Sequence, residues 1–397
     1  MPESQPADRY AARGVSASKQ EVHAATQALE AGLFPGAFCR ILPDLLGGSE
    51  AHCLVMHSDG AGSKSAAYYL AWREGAPAAL WRGLAQDALA MNLDDCACVG
   101  ALGPFLVTNS IARNAHRIPG TVIAEIIAGY QDCCERLRAW GIACALAGGE
   151  TADLGDLVRT LVVDATVIAR LRREEVIDAS RIAPGDVLVG FSSTGQAAWE
   201  DRPHSGIGAN GLTSARHDLL AEVYRYYGET FAPETDPLLI YAGTHRLADP
   251  LPGDPRFTIA SALTSPTRLY TPLIAALLAE LPRGAVHGLI HCTGGGQDKI
   301  RRFGRPGNRY IKDAPFPVPP VFAAIRALSC APWDEMYRTF NMGWRLEAAV
   351  EPAQVETCLR VAARCGIEAR VVGRVEGGGP PQREVIIHTP DGPISLR

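Results

Sequence analysis

The alternation of apolar runs and polar breaks divides the chain into short elements. Residues 53–57, CLVMH, are a run of the length and character of a buried strand, and the stretch SDGAGSK follows at once, so a glycine loop is expected at a strand end. In ALWRGLAQDALAMNLDD the positions Leu80, Leu84, Ala88 and Met91 recur at helical spacing, while Asp87 and Asp94, seven apart, share another face. Asp94 and Asp95 fall at the C-terminal end of that helix, where carboxylates oppose the helix dipole, so helix stability does not account for them. After Pro119–Gly120, the segment TVIAEIIAGYQDCCERLRAWG predicts a helix capped by Thr121, striped by Val122, Ile123, Ile126, Ile127, Cys133, Leu137 and Trp140, and ended by Gly141. IACALA reads as a strand leading into a GGET loop at 148–151, and VRTLVVDATVIARL as a longer strand.

The charged stretch RREEVIDASRIAPGD, with its Pro-Gly turn signal, separates two expected domains, 1–175 and 176–397. Beyond it VLVGFSS predicts a strand, TGQAAWEDRPHSGIGANG a long loop, and LTSARHDLLAEVYRYY a helix. VHGLIHCTGGGQDKI reads as strand, glycines and helix, and RLEAAVEPAQVETCLRVAARCGIEARVVGRV as a βαβ element. The fold class is therefore α/β (α+β) in two domains. The proline-rich DAPFPVPPVF reads as a rigid connection rather than a partner ligand.

Composition narrows the function. With 47% hydrophobic and 20% charged residues and a net charge of −5, the chain is an ordinary globular protein without a general attraction to nucleic acid or an anionic membrane. The polar segment 1–13 lacks the apolar core of a secretory signal and no apolar stretch reaches a membrane span, so a cytoplasmic protein working on a small molecule is expected. The eleven cysteines form no Cys-x-x-Cys pair; Cys96 with Cys98 and Cys133 with Cys134 are close in sequence, but reduced, buried thiols are the simpler reading.

Four glycine-bearing segments, at 60–62, 148–149, 206–211 and 294–296, follow predicted strands, and such loops let backbone N–H groups approach a phosphate. Asp59, Asp87, Asp94, Asp95 and Glu150 are the carboxylates placed to hold magnesium around it, and Lys64 adds a point charge. Neither a Walker A loop nor a Rossmann fingerprint is present. Taken singly, each glycine segment is an ordinary turn and Asp87 a solvated helix residue; their joint recurrence gives them weight. His57 and His291 stand at strand ends, where a hydrogen-bonded structural histidine is the plain alternative to a ligand. His204, in the polar loop RPHSG, is a candidate catalytic group.

On these motifs the chain resembles the aminoimidazole ribonucleotide synthetase family, the phosphoribosylformylglycinamidine cyclo-ligases, over roughly residues 50–376. SDGAGSK is similar to the family's Asp-Gly-x-Gly-Thr-Lys, DALAMNLDD to its Asp-x-x-x-Met-x-x-Asn-Asp, and AGGETAD to its Gly-Gly-Glu-Thr segment. IDASRIAPGDVLVGFSSTG, HCTGGG and PPVF…EMYRTFNMG resemble motifs of its second domain. The resemblance implies an N-terminal domain that forms a β-barrel across a homodimer, a C-terminal α/β domain, and an ATP site in the cleft between them. It implies that ATP phosphorylates the formyl amide oxygen of formylglycinamidine ribonucleotide, after which an amidine nitrogen closes the imidazole ring, a step of purine biosynthesis.

Carried over to this sequence, the resemblance assigns Asp59 and Asp95 to Mg2+ and Lys64 to phosphate. It places Gly60, Gly62, Ser63, Asp87, Asp94, Gly148, Gly149, Glu150, Thr151, Asn210 and Gly211 around the nucleotide. The family's His-Ser-Asn-Gly segment matches only in Asn210 and Gly211; its histidine and serine fall on Gly208 and Ala209, so His204 is assigned to the proton chemistry in their stead. Asp94 stands for an asparagine and Ser63 for a threonine. Tyr10 and RGV at 13–15 resemble the family's opening segment, and Lys19 is a candidate lysine of an N-terminal arm. The competing readings are another ATP-dependent phosphoryl-transfer enzyme on the same scaffold, or a non-catalytic nucleotide-binding relative.

Overall fold

The computed structural model describes residues 9–15, 20–26 and 29–396; Lys19 lies outside them. Two short helices, α1 (Arg9–Ala12) and α2 (Gln20–Thr26), precede the N-terminal domain. That domain runs β1 (Ile41–Pro43), β2 (His52–Gly60), α3 (Lys64–Arg73), α4 (Arg82–Ala97), β3 (Phe105–Arg113), α5 (Gly120–Ala139), β4 (Cys144–Asp153) and β5 (Leu161–Arg172). Its sheet has the order β1-β2-β5-β3-β4, antiparallel except for β3 with β4.

The period-2 pattern of β5 sends Val163, Ala165, Val167, Ala169 and Leu171 into the core beneath α4 and α5. The opposite face is left open. On it Met56, Ile168 and Leu106 stand in one lateral row of paired residues, with Met56 59% and Leu106 53% exposed. Helix α5 begins two residues earlier than expected and without a side-chain cap, Pro119 rather than Thr121 standing at its N-cap.

GGET is not a loop after a strand. It lies inside β4, where Ser110 pairs with Glu150, and the register shift between Val107 and Asn109 absorbs the glycines as a bulge with Gly148 at φ +116.

The C-terminal domain contains β6 (Val187–Ser192), β7 (Thr194–Gly195), β8 (His204–Ser205), α6 (Leu212–Leu219), α7 (Ile259–Leu263), α8 (Thr271–Glu280), β9 (Val286–His291) and β10 (Arg309–Lys312). It continues with α9 (Pro320–Ser329), α10 (Trp333–Thr339), β11 (Trp344–Val350), α11 (Val355–Arg364), β12 (Ala369–Glu376), β13 (Glu384–Thr389) and β14 (Gly392–Leu396). The large sheet has the order β14-β13-β10-β12-β6-β11-β9, and β7 pairs only with β8. The expected βαβ unit is a split one: β11 and β12 are each antiparallel to β6, which lies between them.

Helix α6 stops at Leu219, short of the predicted length, because Leu220 and Ala221 leave the helix to bridge His245 and Gly243. Packing overrides propensity there. A β-carbon on Gly243 would stand 2.3 Å from the Leu219 carbonyl carbon, which is why that neighbour is glycine.

Candidate active site between the two domains

Strand β2 runs through Asp59 and Gly60, the chain turns with Gly62 at φ +54, and Lys64 opens α3. Lys64 does not face the loop rim. It is fully buried, and its Nζ donates to Asp87 Oδ1 at 2.6 Å and to the Ser265 carbonyl. Asp87 also accepts from the Thr267 backbone N–H at 2.7 Å and the Thr267 hydroxyl, with the Tyr68 hydroxyl 3.0 Å from Oδ2. The expected solvated helix residue is thus the hub of a dry contact between domains. Burial pulls the Lys64 ammonium below its usual value, and the Asp87 carboxylate opposes that pull.

The two acids at the end of α4 have different partners. Asp94 accepts from the backbone N–H groups of Tyr270 and Thr271 at 2.9 and 2.7 Å and from the Thr271 hydroxyl at 2.8 Å. A carboxylate unfavourable at its own helix end therefore sits at the N-terminus of α8, where the dipole favours it. Burial nonetheless raises its carboxyl above the ordinary range, with His291 and Arg345 opposing.

Asp95 Oδ1 accepts from His291 Nδ1 at 2.6 Å, and Oδ2 lies 3.4 Å from His57 Nε2. Arg345 Nε, always a donor, reaches His291 Nε2 at 3.0 Å and so fixes the proton of His291 on Nδ1. Burial would raise the Asp95 carboxyl, but Lys299, His291 and His57 outweigh it and hold it at about 2.

The glycine loop meets the second domain at its rim. The Thr213 hydroxyl in the first turn of α6 donates to Ser63 Oγ at 2.8 Å. Gly211, at φ +77, is the N-cap of α6, and the buried Oδ1 of the adjacent Asn210 has no hydrogen-bond partner among the described residues. Asn210 Nδ2 would be 3.9 Å from a β-carbon on Gly294 of the TGGG turn. Three of the four glycine segments thus converge. The N-terminal arm reaches the same helix, with Arg9 and Arg13 donating to Asp218 at 2.9 and 2.7 Å.

The fourth segment does not join them. Asp59, Ala165, Asn109 and Gly149 form one lateral row across β2, β5, β3 and β4, and Gly60, Asp164, Ser110 and Glu150 the next. Three strand spacings of about 4.8 Å put Glu150 roughly 14 Å from the glycine loop, too far to share one magnesium ion with Asp59. Glu150 and Thr151 are exposed on the edge strand. Asp164, missed from the sequence, is close enough to Asp59 that this neighbour adds to burial in raising its carboxyl. A β-carbon on Gly60 would meet Asp164 Oδ1 at 1.7 Å, so Gly60 is glycine on account of Asp164. The signal was present: Asp164 is the one charged residue in the alternating VVDATVI.

His204 is buried on β8, with Nε2 3.5 Å from Glu200 Oε1. It forms a common wall of two cavities of ≈ 440 and ≈ 420 Å³, the second lying between Gln86 and Arg136 of the first domain and Glu200 and Pro266 of the other. Glu200 is gripped by Arg268, whose Nε and Nη2 donate to its two oxygens at 2.7 and 2.8 Å. Neither Glu200 nor Arg268 stood out in the sequence, because each is isolated in its own segment.

Burial holds His204 at about 3 and His217 at about 2, both neutral in the fold. Below pH about 6.5 the unfolded chain takes up protons that the folded chain refuses, so stability falls as pH drops. Each histidine should remove about 2 kcal/mol between pH 7 and 5. Urea unfolding at the two pH values checks this; a His204→Gln variant should lose half of the combined slope, and an unaltered slope would contradict the burial of His204.

Comparison with known proteins identifies the family of the chain. Residues 39–171 match the family model of the AIR synthase related protein N-terminal domain, and residues 183–386 that of its C-terminal domain. A phosphoribosylformylglycinamidine cyclo-ligase of Anaeromyxobacter dehalogenans is 32% identical over 332 residues, covering 82% of this chain and 81% of that protein. One of Methanocaldococcus jannaschii is 28% identical over 322 residues, 81% of this chain and 78% of that protein.

Among solved structures, the hydrogenase maturation protein HypE in complex with ATP superposes with a TM-score of 0.56 at 13% identity, over 88% of this chain and 85% of that one. HypE of E. coli gives 0.51 at 15% identity, over 79% of each chain. These structures speak for the fold alone. With both domain models matched in order along one chain, the protein belongs to the AIR synthase related family, and its relatives over most of its length are phosphoribosylformylglycinamidine cyclo-ligases.

Proposed function

We propose that the protein is an ATP-dependent cyclo-ligase that closes formylglycinamidine ribonucleotide to aminoimidazole ribonucleotide in purine biosynthesis. The observation that carries the reading is the convergence of SDGAGSK, the Asn210–Gly211 turn and TGGG at one interdomain rim, joined by the Thr213–Ser63 hydrogen bond. Backbone N–H groups from three glycine turns suit a polyphosphate. The partnerless Asn210 Oδ1 suits a donor on a bound ligand, and the exposed Asp59 carboxylate beside Asp164 suits a hard cation. Asp95 fits magnesium less directly, since each of its oxygens already faces a histidine.

ATP supplies the phosphoryl group that turns the poor amide oxygen into a leaving group, and magnesium neutralises phosphate charge. Within that reading Gly60, Gly62, Ser63, Asn210 and Gly211 cradle the nucleotide, with Gly148, Gly149, Glu150 and Thr151 of β4 at its far side. Asp59 and Asp95 hold the cation. Lys64 acts through its pair with Asp87, fixing the glycine loop against the second domain, and Asp94 fixes α8. His204, assigned to the amidine proton as the ring closes, is held by burial at about 3, so taking that proton at neutral pH requires the bound substrate to lift its value. Holding nitrogen and carbon at attack distance between two locked domains is where most of the rate would come from.

The domain division at about residue 175, the cytoplasmic setting and a homodimer belong to the same proposal. The open sheet face with its Met56–Ile168–Leu106 row supports pairing with a second copy into a barrel; a monomer in sedimentation equilibrium would remove that part. The function is tested by incubating the purified chain with magnesium, ATP and formylglycinamidine ribonucleotide. Aminoimidazole ribonucleotide and ADP in equal amounts are expected; ADP without the imidazole product would point to another phosphoryl-transfer reaction.

A further inference from the structure

Beside the acid Asp95 lie two side chains, Cys39 and His57, that the ring-closure chemistry does not use. Cys39 Sγ, a ring nitrogen of His57 and a carboxylate oxygen of Asp95 all lie within 4.8 Å of one another. They come from three separate places: the segment before β1, strand β2 and the end of α4.

The second nitrogen of His57 is fixed. Asn92 Nδ2 donates to the carbonyls of Asp59 and Ala88 at 2.9 and 2.8 Å, so its Oδ1 is the atom 3.0 Å from His57 Nδ1, which must carry a proton. In a neutral imidazole the lone pair on Nε2 then faces Asp95 Oδ2. That contact, 3.4 Å, is long for a charge-assisted hydrogen bond, but it is close to the separation of two ligand atoms each about 2.0–2.1 Å from one tetrahedral zinc ion. Asp95 is fixed in the same way: His291 Nδ1–H occupies Oδ1 and leaves Oδ2 turned to His57. His57 and Asp95 therefore each have the non-ligating atom tied by a hydrogen bond, the arrangement that orients metal-binding side chains. Lys299, the cation that acts most on Asp95, donates to Thr293 Oγ1 at 2.7 Å and lies over the Phe38 ring, so its own partners are elsewhere.

We propose that Cys39, His57 and Asp95 form a binding site for a zinc-class transition-metal ion, with a fourth position open toward the half-buried His57 side. Nitrogen and sulfur donors select such an ion over magnesium. On binding, the Cys39 thiol, which donates to the Asp95 carbonyl at 3.2 Å, gives up its proton to solvent and ligates as thiolate. The ion would pin the segment before β1 to the sheet and to α4. The proposal does not depend on the cyclo-ligase reading, although the two ions would compete for Asp95.

The test uses the full chain, stripped with a chelator and titrated with cobalt(II) and then zinc. One cobalt per chain, with a thiolate-to-cobalt charge-transfer band that one zinc abolishes, is expected. Cys39→Ser should lose the band and weaken binding at least a hundredfold. Asn92→Leu, which touches no metal, should weaken it about 10- to 100-fold. Cobalt bound without the band, a Cys39→Ser chain that binds as the native one does, or no binding at all would overturn the assignment. None of these readouts needs turnover, so an inactive chain that shows the band removes only the proposed enzyme function, and an active chain without it removes only the metal site.

Discussion

Asp87→Ala should lower the free energy of unfolding at pH 7 by about 3–5 kcal/mol, because it strands the Lys64 ammonium, fully buried, with only the Ser265 carbonyl for company. The same substitution orphans the Thr267 N–H and hydroxyl, and the Tyr68 hydroxyl keeps only Thr264 O. Removing both charges in a Lys64→Met, Asp87→Leu chain should recover much of the loss, since what costs energy is one unpaired buried charge rather than the missing pair. Urea unfolding of the three variants decides it. A single-variant loss below about 1 kcal/mol would mean that water reaches Lys64 and that the domains are not locked there.

Asp95→Asn is expected to cut turnover by a factor of about a hundred to a thousand, the scale of removing one electrostatic group that stabilises developing charge. It should not be structurally silent. A carboxyl held at about 2, against 3.8 when unfolded, stabilises the fold by about 2 kcal/mol at neutral pH. Because the folded value is depressed, that contribution is present above pH 3.8 and is lost as pH falls through about 2. The native and Asp95→Asn chains should therefore differ in unfolding free energy at pH 7 and converge near pH 2. A variant that keeps full turnover, or a stability gap that does not close in acid, would contradict the role given to Asp95.

The contrast between Asp94 and Asp95 shows how far the sequence could be read. Both stood out as carboxylates that their own helix does not want, and the anomaly was real. Its explanation differed for each: Asp94 serves the N-terminus of α8, 176 residues away, and Asp95 serves His291, 196 residues away. Nothing local distinguishes the two neighbours. The GGET segment erred in the other direction. Two glycines read as a loop by composition, yet β3 supplies a partner strand and a bulge takes up the extra length.

By itself the sequence determined the elements and their order. The stripe on α5, the alternation on β5 and the apolar runs ahead of SDGAGSK and HCTGGG are short-range properties, fixed by periodicity and by how apolar residues leave water. It determined the family as well, because the spacing of several irregular motifs along one chain is itself local information. The tertiary structure alone decided which charge meets which. Lys64 with Asp87 and Ser265, Glu200 with Arg268, and His57 and His291 with Asp95 are pairings between elements far apart in the chain. A buried charge has no preferred partner until packing excludes water and leaves it one, and that exclusion belongs to the two domains together rather than to any stretch of sequence.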